Sequence, residues 1–197
     1  MNTSKIVLFS LLGLIVIVFF WGCNGYNNLV SRDVSVGKVW SNVETNYQRR
    51  TDLYSSVIKT IEGSANFEKS TLKEVLEARS KATQIKVDIN DPASLEAYQK
   101  AQSSLQGSFS RLMAVAENYP DLKTTAAFRD FQTQIEGTEN RINVARQDYN
   151  AAIEDYNLRV RRFPGSILAG IFGFRDKPFY KADAGTEKAP EINFDIK

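Results

Sequence analysis

The chain has no histidine and only one cysteine, Cys23, among its 197 residues. Without histidine there is no imidazole base for a Ser-His-Asp or Cys-His catalytic set, and a single thiol completes neither a usual structural zinc site nor an intramolecular disulfide. The redox compartment therefore cannot be read from cysteine pairing. Charge of one sign is also lacking: the formal net charge is +2, with basic and acidic residues interspersed, so there is no patch of the kind that holds a nucleic acid. Phosphate-cradling glycine loops, dinucleotide fingerprints and EF-hand loops are absent. No cofactor, metal or nucleic-acid partner is expected.

Carboxylate pairs are the remaining route to chemistry. Glu74 with Glu77, Asp88 with Asp91, and Glu136 with Glu139 lie close in sequence. At helical spacing Glu136 and Glu139 share a face, as acid-base or metal work would require. No nucleophile or cofactor motif accompanies them, and a solvated or ion-paired surface is the plainer account. No catalytic residue is assigned, and the expectation is a protein that is not an enzyme.

What the chain does have is an uncharged apolar run from Ile6 to Trp21, interrupted only by Ser10 and Gly13. Extended through Tyr26 it reaches about the twenty residues that cross ~30 Å of hydrocarbon, with Trp21 and Tyr26 as interfacial aromatics. Phe20-Trp21-Gly22 is a poor signal-cleavage site, which favours a retained anchor over residues 5–26 behind a short tail, 1–4. The alternative is a lipoprotein acylated at Cys23, for which Gly22 is suitable but Phe20 and Trp21 are not; either outcome anchors the chain. Lys5 lies before the run and Arg32 and Lys38 after it, a nearly level bias. The short positive amino end favours a cytoplasmic amino terminus and a domain facing the periplasm.

A polar helix grows directly out of this anchor. Val36, Trp40, Val43, Tyr47, Arg50, Tyr54, Val57 and Ile61 follow steps of four and three, which draws one stripe along a helix. Arg50 falls within the stripe and should either snorkel outward or meet a carboxylate from another helix. Gly63 and the Ser and Asn around it predict a reversal near residues 63–67. A second helix then buries Leu72, Val75, Leu76, Arg79 and Ala82. Asp91 caps, and Pro92 opens, a third that carries Leu95, Tyr98, Gln102, Leu105, Phe109, Leu112, Ala116 and Tyr119. Past Pro120 a fourth carries Phe128, Phe131, Ile135, Thr138, Ile142, Ala145, Tyr149, Ile153, Tyr156, Val160 and Phe163. The fold class is all-α: an N-terminal transmembrane helix continuing into a long antiparallel four-helix bundle over 27–163, with an irregular tail over 164–197. Trp40, Tyr47, Arg50, Phe109, Ile135, Ile142 and Tyr149 are the candidate seam. Gly137 costs about 1 kcal/mol in a helix interior; either it admits a close neighbour such as Trp40 or Tyr47, or it is a tolerated surface glycine.

With a reversal near Gly63, an even number of helices returns the chain to its starting level, so the tail should lie near the bilayer; a continuous first and second helix would leave three long elements and send the tail to the far end. There Ile167, Leu168, Ile171, Phe172, Phe174, Phe179 and Tyr180 crowd a glycine-interrupted segment behind Arg159, Arg161 and Arg162. One reading rests the segment on an anionic membrane; the other folds the aromatics onto the bundle end and leaves the arginines to answer a helix dipole. Trp21, Tyr26, Leu29, Arg161, Arg162, Ile167, Ile171, Phe172 and Phe174 are the candidate membrane or interface residues.

With these parts in place, the chain resembles the LemA family. The likeness is carried by Tyr26-Asn27 with Leu29-Val30, Val39-Trp40-Ser41-Asn42-Val43, Gln48-Arg49-Arg50 with Asp52-Leu53, and Glu68 with Leu72 and Ala78-Arg79. It continues through Tyr119-Pro120-Asp121-Leu122, Glu136-Gly137-Thr138-Glu139-Asn140-Arg141-Ile142, and Phe163-Pro164 with Phe172-Gly173-Phe174. Two places depart from it: Tyr54-Ser55-Ser56-Val57 stands where the family commonly has Ile-Pro-Asn-Leu, and Phe67 where it often has histidine. The resemblance implies a single-pass protein of the bacterial inner membrane with a helical bundle and no defined activity. It also implies relatives at magnetosome membranes and TPM-domain membrane proteins as neighbours.

Two functions follow as expectations. The first is an envelope scaffold, oligomerisation or membrane-organising factor whose partners are the lipid bilayer, further copies of itself, or TPM-domain and other envelope proteins. The second is a sensory or regulatory ectodomain that binds a small ligand or partner protein between its helices.

Overall fold

The computed structural model describes residues 3–62, 68–123 and 125–181. The reversal expected at 63–67, including Phe67, and the end of the tail from 182 lie outside them. Among the described residues the chain forms six helices and no strand: α1 Thr3–Glu62, α2 Lys69–Gln84, α3 Pro92–Ala116, α4 Pro120–Lys123, α5 Ala126–Arg161 and α6 Gly165–Phe172. The chain divides into two compact units, one of Met1–Arg49 with Thr138–Pro178 and one of Arg50–Gly137 with Phe179–Lys197. Helices α1 and α5 contribute to both.

In the second unit five helices share one core, to which α4 contributes Leu122. Tyr54, Val57 and Ile61 from α1 join Leu72, Val75 and Ala82 from α2, Leu105, Phe109 and Leu112 from α3, and Phe128 and Phe131 from α5. The rings of Tyr54 and Phe109 stack at 3.7 Å, nearly parallel, and Phe131 lies 5.3 Å from Phe109. A tilted contact such as that of Phe131 on Phe109 adds to the area it buries. Arg50 does not snorkel. It is fully buried, and its Nη2 donates to the Oε1 of Gln102 at 2.8 Å and to the Gln102 carbonyl at 3.2 Å. The guanidinium lies 5.8 Å from the Tyr54 ring centroid, and the neutral Gln102 side-chain amide is among its partners.

The stripe of α2 departs from expectation at Leu76 and at Arg79, which is half-buried. Ala78 is buried and Leu76 is exposed, because a 3.6-residue turn carries the inward face from Leu72 and Val75 to Ala78 and Ala82, leaving Leu76 on the flank. The start of α3 follows the sequence: Asp91 accepts from the backbone N–H of Ala93 at 3.0 Å and of Ser94 at 3.3 Å, with Pro92 in the first turn. Those N–H groups have no partner inside the helix, which is why a carboxylate is favoured there. The surface carboxylates are similarly occupied: Glu74 pairs with Arg111, and Glu77 with Lys73 at 3.8 Å.

In the first unit α1 changes character along its length. Its start is the one stretch among the described residues long and apolar enough to cross a membrane, with a mean hydropathy of 2.3 and no part buried. Val36, Trp40, Val43 and Tyr47, further along, are buried, as are Ile142, Ala145, Tyr149 and Ile153 on α5. Trp40 meets Tyr149 edge-on at 5.2 Å, and Arg146 donates from Nε to the Tyr47 hydroxyl at 2.8 Å.

Truncating Phe109 to alanine removes a ring from the stacked core and should cost about 3–5 kcal/mol. Asp91→Ala removes only a cap and should cost about 1 kcal/mol. Unfolding of the full chain in mild detergent measures both; equal effects would contradict the packing described.

Candidate membrane-proximal site

The tail meets α1 where the apolar run ends. Leu168 of α6 packs over Gly25 so closely that a methyl group there would overlap it, and Leu168 and Ala169 are buried. Phe172 and Phe174 lie 4.7 and 6.0 Å from the Tyr26 ring. At the other end of α6, a Cβ on Gly165 would strike the carbonyl oxygen of Arg159, so the turn out of α5 needs glycine there. Two hollows flank the junction. One, of about 210 Å³, is lined by residues including Trp21, Asn24, Asn28, Arg159 and Leu168; the other, of about 280 Å³, by residues including Asp155, Arg159, Arg162 and Phe163. The amide oxygen of Asn28 is buried with no hydrogen-bond partner among the described residues.

Beyond α6 the chain is strapped to α5 by polar contacts. Asn157 donates from Nδ2 to the Lys177 carbonyl and accepts from the Lys177 N–H, both at 2.9 Å, so its amide pairs with the backbone as a neighbouring strand would. The Lys177 side chain is buried; its Nζ reaches Asp33 Oδ1 at 2.9 Å and lies 5.3 Å from the Tyr156 ring. Tyr149 donates from its hydroxyl to the Pro178 carbonyl at 3.3 Å. Sequence reasoning did not find Asn157, Lys177 or Asp33. The available signal was Asn157, a polar residue beside Tyr156 on the mainly apolar inward side of α5.

The charges of the junction are unequally used. Arg161 is bound by Asp176, with Nε at 2.8 Å and Nη2 at 2.7 Å from Oδ2, and that carboxylate raises its already high pKa further. Arg32 is paired with Asp155. Arg159 and Arg162, both exposed, have no ion-pair partner among the described residues.

Of the candidate interface residues, Trp21, Tyr26, Arg161, Arg162, Ile167, Ile171 and Phe172 are exposed, Phe174 is half-buried, and Leu29 is turned inward and buried. Tyr26, Phe172 and Phe174 are brought together. Cys23 is a free, exposed thiol. Of the seam candidates, Trp40, Tyr47, Ile142 and Tyr149 are buried in the first unit, and Arg50 and Phe109 in the second, where Ile135 is half-buried. Phe163, expected on the fourth helix's inner stripe, is 81% exposed because α5 ends at Arg161. Gly137 receives no close neighbour among the described residues, and Trp40 packs on Tyr149. No group of acidic or cysteine side chains among the described residues is placed to hold a metal.

The LemA family's sequence model matches residues 39–194, most of the chain. The chain belongs to the LemA family. Among curated proteins it is similar to magnetosome protein MamQ 2 of Paramagnetospirillum magneticum, 26% identical over 79% of this chain and 64% of that protein. It is also similar to MamQ of Magnetospirillum gryphiswaldense, 25% identical over 81% and 66%, and to protein LemA of Metamycoplasma hominis, 28% identical over 77% and 67%. The chain spans about 64% of the length of the first of these relatives.

Burial pushes the phenols of Tyr149 and Tyr156 from 10 up to about 12, and Asp33 and Asp176 add to the effect at Tyr156. The fold therefore favours the protonated phenols. That stabilisation is complete below about pH 10 and is lost as pH rises towards about 12. Alkaline unfolding of this LemA-family chain should begin in that window, and Tyr149→Phe should flatten the pH slope there. Phenolate absorbance titration checks it; ionisation of both tyrosines near 10 would contradict their burial.

Proposed function

We propose that this LemA-family chain is a non-enzymatic, membrane-anchored helical protein that scaffolds an envelope complex or organises membrane through self-association. The observation that carries the reading is within α1, where an exposed apolar segment runs without a break into a helix whose inner side is packed. An exposed run of this hydropathy is costly in water and favourable in hydrocarbon, whereas the helix beyond Leu29 has its apolar stripe covered by protein. Support also comes from the magnetosome name carried by the MamQ relatives. The anchor is single-pass in the bacterial inner membrane, the amino end is cytoplasmic, and the helices face the periplasm. TPM-domain or other envelope proteins are candidate partners.

A second reading, a small ligand held between helices, has one observation in its favour. Between α2 and α3 a groove of about 510 Å³ is lined by residues including Ala78, Lys81, Ile85, Lys100 and Ala101. Two lysines beside apolar walls would suit an amphipathic anion.

Reconstitution of the full chain into liposomes tests the leading reading. Crosslinked and native mass should report a defined multimer, and imaging should report clustered or reshaped vesicles. A strict monomer that leaves vesicles unchanged, and that captures no envelope protein on crosslinking in cells, would overturn it.

A further inference from the structure

Helix α6, sequence GSILAGIF, contains no charged residue, yet it is not buried all round. Leu168 and Phe172, one turn apart, occupy the side that packs on Gly25 and Tyr26. Ile167 and Ile171, also one turn apart, form a second stripe that is 50% and 69% exposed. A helix apolar on two sides and covered on one calls for a second apolar environment. Its height indicates which. Gly25 lies four residues beyond Trp21, about 6 Å along the axis, so α6 sits at the edge of the segment that α1 places in hydrocarbon, within the ~5–10 Å depth at which interfacial helices rest.

Charge around the junction points the same way. Asp176 occupies Arg161, and Arg32 occupies Asp155, leaving Arg159 and Arg162 on the rim of the two hollows with no carboxylate partner among the described residues. Two exposed guanidiniums beside an open apolar stripe at bilayer height are matched by an anionic lipid surface. The buried Asn28 oxygen adds an acceptor in the smaller hollow, suited to a headgroup hydroxyl.

We propose that α6 is a second membrane contact beside the anchor: Ile167 and Ile171 seat in the interfacial layer while Arg159 and Arg162 hold the phosphates of anionic phospholipids. The proposal rests on the reading of α1 as a membrane anchor. It makes the chain grip the bilayer at two points of one unit, so that the helix above the anchor cannot swivel independently of the surface.

The test uses the full chain with Cys23→Ser, a nitroxide placed through Ile171→Cys, and a separate control through Val34→Cys. Val34 is exposed on the same unit two turns beyond Tyr26. Collisions with oxygen and with a water-soluble nickel chelate are compared in phosphatidylcholine vesicles with and without phosphatidylglycerol. The expected result is an oxygen-dominated, interfacial signal at 171 in the anionic vesicles and a water-like signal at 34. Arg159→Gln with Arg162→Gln should lower the docked population about fivefold per arginine in anionic vesicles and leave it unchanged in phosphatidylcholine. A water-like signal at 171 in a chain that still floats with the vesicles overturns the second contact alone. Failure of the chain to float overturns the anchor as well. Protection at 171 that grows with the protein-to-lipid ratio, whatever the headgroup, assigns the stripe to a second copy and overturns the lipid contact.

Discussion

The structure depends on the continuity of α1. The apolar segment and the packed seam up to Arg49 belong to one helix in one unit, with no loop between them. An α-helix satisfies its own backbone hydrogen bonds, so the same element serves in hydrocarbon, at the interface and in a protein core by changing only its side chains. The first stretch is apolar all round; beyond Leu29 the apolar residues narrow to one stripe. Each residue on this helix therefore acquires a height as well as a face, and whatever packs against Gly25 and Tyr26 is placed at the end of the apolar run by that contact.

The tail is held by two kinds of force. Helix α6 adheres by shape: a residue without a side chain, Gly25, leaves room for Leu168, and Tyr26 receives Phe172. The segment after Gly173 adheres by polar pairing, with the Asn157 amide completing the backbone of Lys177 and the Lys177 ammonium meeting Asp33. A buried lysine is costly unless it is paired and hydrogen-bonded, so these contacts work better as selectors of one tail position than as sources of stability. They also consume carboxylates. Asp33, Asp155 and Asp176 are all engaged within the unit, whereas Arg159 and Arg162 meet no carboxylate among the described residues.

Legibility differed sharply between helix interiors and helix ends. All eight residues of the α1 stripe from Val36 to Ile61 are buried, and the α3 stripe is inward from Leu95 to Ala116, because three-and-four spacing is a direct consequence of helix pitch. Asp91 and Pro92 read equally well, since a cap is a local interaction between neighbours in sequence. Phe163 did not: its pattern continues the α5 stripe, but the helix stops two residues earlier and the ring is left outside. Leu76 lost its place to Ala78 through a phase drift too small to see in a short helix. The reversal after Ile61 and the role of Phe67 fall on residues that the structure does not describe.

What the sequence determined on its own was the class of protein. The missing histidines, the long apolar run and the repeated stripes specify helices, an anchor and the LemA family, because these properties are summed over many residues or fixed by local geometry. Tertiary structure decided which polar residues matter. That Arg50 meets Gln102, that Lys177 is buried beside Asp33, that Arg161 is bound by Asp176, and that Gly25 admits Leu168 all depend on partners distant in sequence. Pairing across long separations is set by how helices dock, and periodicity along one chain carries no record of that.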